Sequence, residues 1–182
     1  CALIACEDID KPEFEPTDYT VSGKVEKGPF VSGSNINLQP MDSKLIPTGS
    51  TFSTTITDNS GNFAFNTTTL ETPYAQLTAN GYYFNENRGS LSIGMLSLRA
   101  VVDLSELQTV NVNILTHLKY SRIINLVKNE NKSYKDANKQ AQRELLSAFG
   151  LQQFTESDAA SYSITAGTPE AAALIAISSM IL

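Results

Sequence analysis

Apolar and polar residues alternate along the first two thirds of the chain, which is the pattern of β-strands. Strands marked by this alternation or by β-branched side chains are predicted at residues 19–25, 36–38, 51–57, 62–65, 74–79, 82–85, 91–104 and 110–113. They are short, evenly spaced and separated by turns rich in Gly, Pro and Asn. This arrangement predicts an antiparallel β-sandwich over residues 19–113.

The spacing of apolar residues lengthens to that of helices after Asn113, so the predicted class is mainly β plus α. A first helix is expected to about residue 128, and a second lies between a cap at Ser133 and a Schellman-type end at Gly150. Thr168, Pro169 and Glu170 give the start signal of a third helix.

The third helix is apolar on all sides over residues 171–182, and such a helix is normally buried. The two preceding helices offer only narrow apolar stripes to cover it. We therefore expect the helical region, residues 114–182, to be truncated. A missing C-terminal part is expected to pack on residues 171–182.

The first residues, CALIAC, match the pattern at which bacterial lipoprotein precursors are cut. An apolar residue, Leu3, lies three positions before Cys6, and a small residue, Ala5, precedes it directly. Residues 1–5 are predicted to be a signal-peptide remnant, and Cys6 to be the lipid attachment site that holds the protein on a membrane. Residues 6–18 are acidic, contain two prolines and are predicted to form a flexible tether.

The net charge of −6 is concentrated near this N-terminus. Residues 7–18 contain six acids and one lysine, which leaves a nearly neutral body of 12 basic and 13 acidic residues. Such a body has no basic footprint for nucleic acid and no polybasic patch for anionic lipid. Both cysteines of the chain fall in the first six residues, so the body has no disulfide framework.

Four stretches resemble carboxypeptidase regulatory-like domains in the expected order, over roughly residues 19–104. They are residues 21–25 (VSGKV), 32–38 (SGSNINL), 55–65 (TITDNSGNFAF) and 74–82 (YAQLTANGY). The resemblance implies a seven-stranded transthyretin-like sandwich, a central hairpin around the DNSG turn, and no catalytic residues. The unusual stretch at residues 26–31 (EKGPFV) and the helical region are similar to Bacteroides-type surface lipoproteins, in which acid after the lipidated cysteine directs export to the cell surface.

Two groups of residues could carry metal or acid–base chemistry, but each has a structural interpretation that fits better. His117 is the only histidine and lacks the partners of a triad or a metal site, so a structural role is predicted. Asp58, Ser60 and Asn62 alternate as calcium ligands could, but Gly61 is misplaced for a calcium loop. A turn in which Gly61 has positive φ explains these residues, and no cofactor or metal is expected.

The aromatic residues Tyr74, Tyr82, Tyr83 and Phe84 form the remaining candidate. Because successive residues of a strand point to opposite faces, Tyr82 and Phe84 are expected to share the core face. Tyr83 is then exposed and is a possible ligand contact. Two functions are compatible with these observations. The first is a non-enzymatic, lipid-anchored protein of the outer membrane and cell surface, a structural or adhesive module that presents a C-terminal part. The alternative is a glycan-binding accessory lipoprotein of an outer-membrane nutrient-uptake system.

Overall fold

The structure, a computed structural model, describes residues 14–181. Its strands are β1 Thr17–Tyr19, β2 Ser22–Glu26, β3 Asn35–Pro40, β4 Phe52–Thr55, β5 Asn62–Ala64, β6 Thr68–Leu70, β7 Tyr74–Gly81, β8 Phe84–Asn85, β9 Ser90–Leu91, β10 Leu96–Asp103 and β11 Val112–Asn113. Its helices are α1 Ile114–Glu130, α2 Tyr134–Ala148 and α3 Pro169–Met180, with short 3-10 turns at Gln152–Phe154 and Ala159–Ser161.

The strands form two larger sheets and two small pairs. One sheet is antiparallel with the order β10-β7-β3-β4, the other has the order β11-β2-β5, and the pairs are β1-β6 and β8-β9. The predicted class, β plus α, is confirmed. The described residues contain eleven strands, and β11 runs parallel to β2, so a wholly antiparallel sandwich of seven strands is not confirmed.

Alternating burial along β7 shows how the sequence positions the sheet. Ala75, Leu77 and Ala79 are fully buried, while the residues between them are half-buried. The core they belong to also contains Leu115 of α1 and Leu174 of α3. The helices therefore share a core with the sheets instead of building a separate one.

A smaller core lies on the opposite face of β10. Val101 alternates with Ala100 and Val102, and it packs in this second cluster with Ile123 and Leu126 of α1. Tyr134 at the start of α2 closes the same cluster and donates a hydrogen bond from its hydroxyl to the Val101 carbonyl, at 2.9 Å.

The predicted helix signals are confirmed at α2. The Ser133 hydroxyl accepts a hydrogen bond from the Asp136 amide at 3.1 Å. At the other end Gly150 has φ +70°, and the Leu151 amide donates to the Leu146 carbonyl at 2.8 Å, which is a Schellman end. The cap of α1 is Asn113, whose side chain accepts from the Thr116 amide.

β7 defines two ends of the molecule. At its start, the ring of Phe14 contacts Tyr74 edge-on at 5.8 Å, and we call this the proximal end. At Gly81 the chain continues into the β8-β9 hairpin, and we call this the distal end. The two ends lie roughly 23 Å apart at about 3.3 Å per residue.

Three expectations from the sequence need correction. The tether was predicted to extend to Asp18, but Thr17 and Asp18 belong to strand β1. They pair with β6, a strand that was not predicted. The turn at Asp58 is not a hairpin, because β4 pairs with β3 while β5 pairs with β2, so the turn connects two different sheets.

The third correction concerns α3, which was expected to lack cover in this chain. Its residues Ala171, Ala173, Leu174, Ile177 and Ser178 are buried by the rest of the described structure. Only the outer face remains open, with Ile175 and Met180 exposed. A further segment packing on that outer face stays a prediction.

Candidate functional site

A cleft of about 300 Å³ opens at the proximal end, between α2, the turn after β10 and the loop before the second 3-10 turn. Its walls contain apolar, acidic, basic and hydroxyl side chains. The residues that give the cleft its chemical character are Val102, Asp103, Glu106, Leu107, Tyr134, Lys135, Asn138, Lys139, Gln142, Glu156, Asp158 and Ser161. This volume is at the lower end of the range for small-molecule sites.

A buried ion pair forms the back of this cleft. Lys119 on α1 has a side chain only 2% exposed, and its ammonium lies 2.7 Å from Oδ1 of Asp158, whose side chain is 31% exposed. The same carboxylate oxygen accepts from the Ala160 amide at 2.8 Å. Taking a charge out of water costs several kcal/mol, so the ion pair is weak evidence for a net gain in stability.

Gln142 of α2 completes the support of this ion pair. Its Oε1 accepts from the Lys119 ammonium at 3.1 Å and from the Ala159 amide at 2.9 Å. Its Nε2 donates to the Ser157 carbonyl at 2.6 Å. One glutamine side chain therefore ties α2 to both the ion pair and the loop that carries Asp158.

Asn138, one turn earlier on α2, donates from Nδ2 to Oδ2 of Asp158. Its Oδ1 is buried and has no hydrogen-bond partner among the described residues. A buried acceptor without a donor is costly and rare in native structures. The wall of the cleft thus contains an amide that the described part of the chain does not satisfy.

The charge state of Asp158 follows from these contacts. Burial by itself raises the pKa of its carboxyl, but the Lys119 ammonium and the donors at Ala160 and Asn138 outweigh it and lower the pKa below the ordinary value. The carboxylate is therefore ionised at neutral pH and acts as a hydrogen-bond acceptor rather than a proton donor.

Tyr83, the predicted ligand contact, is placed differently from the expectation. It is half-buried and stacks on the fully buried Phe30 at 6.1 Å, while Tyr82 and Phe84 are each 41% exposed. The alternation was correct, but the two faces were exchanged, because residues 29–31 pair with this strand and cover the Tyr83 side. Lys27 lies over the Tyr83 ring at 5.4 Å.

The exposed face of the hairpin is apolar. Phe84 pairs with Leu91, and the Ser92 amide donates to the Tyr83 carbonyl, a register that places Ile93 opposite Tyr82. Leu91 is 51% exposed and Ile93 is 86% exposed. We call Tyr82, Phe84, Leu91 and Ile93 the distal apolar face.

The structure confirms the predicted turn at Asp58, while the structural role of His117 stays a prediction. His117 is half-buried, its Nδ1 has no partner in the described part of the chain, and burial, with Arg99 adding to it, lowers its pKa. Asp58 accepts from the Asn62 side chain and the Ser60 amide within its turn, and Gly61 has φ +76° as predicted. Across residues 14–181, no group of three or more acidic, His or Cys side chains could hold a metal ion.

Cys6, the predicted lipid attachment site, lies outside the described residues. No helix within residues 14–181 has the length and apolar character that would let it cross a membrane. Sequence reasoning missed the cleft, because Lys119, Gln142 and Asp158 meet only after the helices fold back on β10. The one available signal was the Lys119 charge on the otherwise apolar side of α1.

Comparisons of this chain with protein-family models, with curated proteins and with solved structures found no match. The geometry of the cleft, the distal apolar face and the N-terminal sequence pattern are therefore the observations from which a function can be argued.

Proposed function

We propose that this chain is a non-enzymatic, lipid-anchored protein of the outer membrane and cell surface, attached through Cys6. We also propose that its two larger sheets are a variant of the transthyretin-like sandwich of carboxypeptidase regulatory-like domains. These sheets contain seven of the strands, and the four stretches that resemble that family fall within or beside them. In this proposal the sandwich is a structural or adhesive module.

The observation that carries this proposal is the position of the first described residues and of the end of α3. Phe14 packs at the proximal end against Tyr74, directly after the acidic segment that begins at Cys6. At the other end of the chain, Ser178 of α3 accepts a hydrogen bond at its carbonyl from Lys27 at 3.2 Å, beside the β8-β9 hairpin. An anchor at the proximal end, with α3 ending at the distal end, has the geometry of a spacer that would hold a further part away from the membrane.

The distal apolar face supports the adhesive part of this proposal. Its four side chains are exposed at the end opposite the anchor, where a membrane-tethered body would meet another protein. Exposed apolar residues grouped on one face mark interaction surfaces more often than scattered ones do. The expected partner is a protein with an apolar surface of similar size.

A second candidate function is that of a glycan-binding accessory lipoprotein in a nutrient-uptake system. The observation in its favour is the exposure of Tyr82 and Phe84 on one face, because aromatic rings can stack on the apolar face of a sugar. Soluble oligosaccharide that shifts the resonances of these two rings would favour this candidate over the adhesive one.

Metabolic labelling tests the anchor. The complete precursor is expressed in a bacterial host with radioactive fatty acid, beside a Cys6→Ala variant and a matched Cys1→Ala control. The proposal expects label in the parent and in Cys1→Ala and none in Cys6→Ala. Label that persists in Cys6→Ala would overturn it, as would failure of the parent protein to incorporate label.

A further inference from the structure

Two features that cost stability meet at the wall of the proximal cleft, through Asp158 and Asn138, which both line it. One is the Lys119–Asp158 ion pair, with its ammonium almost fully removed from water. The other is Asn138, whose Oδ1 is buried without a donor among the described residues. Convergent polar groups of this kind in a ligand-sized cleft are the usual mark of a binding site.

The ion pair leaves one carboxylate oxygen of Asp158 with spare capacity. Oδ1 is taken by Lys119 and the Ala160 amide, whereas Oδ2 accepts from the Asn138 side chain. A carboxylate has about four acceptor positions. An ionised, rigidly held acceptor on the wall of a cleft selects for a ligand that donates hydrogen bonds.

The remaining charges make a strongly charged ligand a poor fit. The lining contains four acidic side chains, and it contains two lysines with the buried Lys119 behind them. The acids are Asp103, Glu106, Glu156 and Asp158, and the lysines are Lys135 and Lys139. The two signs nearly cancel, so neither an anion nor a cation is strongly favoured.

The donors and acceptors suit hydroxyl groups, each of which can donate one hydrogen bond and accept two. Carboxylates accept from hydroxyls and the lysine ammonium groups can donate to them, while the Ser161 hydroxyl, which donates its proton to the Asp158 carbonyl at 2.7 Å, can accept from them. Val102, Leu107 and the Tyr134 ring supply apolar wall. A sugar ring matches this mixture, since it has hydroxyls around its edge and apolar C–H groups on its faces.

We propose that the proximal cleft binds a neutral, polyhydroxylated ligand of the size of one sugar ring. The proposal deepens the ligand-binding alternative described above and assigns it a site distinct from the distal apolar face. It does not depend on the lipid anchor at Cys6, so labelling of the precursor and binding in the cleft can fail separately.

Proton–nitrogen correlation NMR on the purified 182-residue chain tests this proposal directly. The side-chain amides of Asn138 and Gln142 give their own signals and report from the wall of the cleft. The probes are methyl glucopyranoside, methyl galactopyranoside and N-acetylglucosamine, with glucosamine as the cationic and glucuronate as the anionic counterpart.

The expected result is a saturable shift of both amide signals with at least one neutral sugar, with the millimolar affinity typical of so small a ligand. The charged counterparts are expected to bind more weakly. Binding of glucosamine or glucuronate alone would overturn the assignment to a neutral ligand. The absence of any shift at the highest soluble concentration of all three neutral sugars would overturn the site.

A variant that blocks the cleft tests whether the ligand binds there. Ser161→Trp puts a large ring into the space, and Ser147→Trp on the exposed side of α2, outside the cleft, is the matched control. Affinity should fall about tenfold or more in Ser161→Trp and stay unchanged in the control. If Ser161→Trp does not fold, Lys139→Trp on the exposed rim replaces it. Equal affinity in the folded blocking variant and the control would overturn the proposal.

Discussion

The two ends of this molecule depart from ordinary burial in opposite ways. The proximal end buries charge, because the Lys119 side chain is 2% exposed and holds Asp158 at 2.7 Å. The distal end exposes apolar surface, because Ile93 is 86% exposed and its neighbours on the hairpin are open as well. Between them, the sheets bury alternating apolar residues in the usual manner.

This contrast shows where the sequence is shaped by something other than stability. Burying an ion pair is often neutral or worse than burying apolar residues of the same size. Leaving large apolar side chains in water forgoes about 1.5–3 kcal/mol each. Each end therefore carries a cost that binding can offset, and the proposals assign a small polar ligand to the proximal end and a protein surface to the distal end.

The largest expected difference in stability between the two ends comes from substituting one lysine at each end. Lys119→Met leaves the partly buried Asp158 without its cation and should lower the free energy of unfolding by about 3–5 kcal/mol. Lys27→Met at the distal end removes one hydrogen bond to the Ser178 carbonyl and the cation–π contact with the Tyr83 ring, and should lower the free energy of unfolding by about 1–2 kcal/mol. Urea denaturation of both variants checks the difference, and equal losses would remove the contrast.

Two glycines of the distal end test how rigid the support beneath the hairpin is. A Cβ at Gly61 would lie 2.5 Å from the Val25 carbonyl oxygen, whereas a Cβ at Gly89 meets nothing within 4 Å. Both glycines have positive φ, and at Gly89 no clash is added. Gly89→Val therefore measures backbone strain alone and should lower the free energy of unfolding by about 1 kcal/mol. Gly61→Val adds the clash and should cost about 2 kcal/mol or more in thermal unfolding. A smaller loss at Gly61 than at Gly89 would contradict this account of the turn.

Two carboxyl groups, one at each end, should contribute opposite dependences of stability on pH. The pKa of Asp158 is lowered in the fold, so the stability it contributes is present above its unfolded value of 3.8 and is lost as pH falls through the folded pKa. Burial raises the pKa of Glu26, at the end of β2, despite its hydrogen bonds from Ile164 and Ser163. Stability should therefore fall as pH rises from 4.5 through the raised pKa of Glu26.

Unfolding free energies measured between about pH 3 and 7 check both signs. Asp158→Asn should reduce the loss of unfolding free energy at acidic pH. Glu26→Gln should reduce the decline in unfolding free energy above pH 4.5. Each variant serves as the control for the other, because they act in different windows. A profile that both variants change in the same window would contradict the assignment.

The smallest effect on stability is expected on the distal apolar face. Ile93→Ser removes a side chain that is 86% exposed and should change the free energy of unfolding by less than about 0.5 kcal/mol. Leu77→Ala in the sheet core, the matched large-to-small change, should cost about 2–5 kcal/mol. A large loss of stability would mean that Ile93 is core, not interface.

The local features of the fold were predictable because their causes are local. The period of two along β7 and the Gly61 turn depend on side chains within a few residues of one another. The same is true of the caps at Ser133 and Gly150. Strand pairing was less predictable, and β6 was missed because three residues, TTL, carry little periodicity. Its existence depends on β1, which lies about fifty residues earlier in the sequence.

The sites were predictable only in part. The alternation of Tyr82, Tyr83 and Phe84 was predicted correctly, but which face is core depended on Phe30, which comes from a distant loop. The proximal cleft was invisible, since its ion pair joins residues 39 positions apart. Cover for α3 was equally a matter of tertiary packing, as Leu174 and Ile177 join the core of the sheets.

The most direct test of the account is the orientation of the anchored protein. Both native cysteines lie in the first six residues, and under the proposal one is removed with the signal and the other is lipidated. Single labels can therefore be introduced by Lys44→Cys at the proximal end or by Arg88→Cys at the distal end, where both parent side chains are exposed. The lipidated protein is placed in vesicles whose headgroups carry a nitroxide quencher. The account predicts stronger quenching of fluorescence at position 44 than at position 88. Equal quenching, or stronger quenching at position 88, would contradict it.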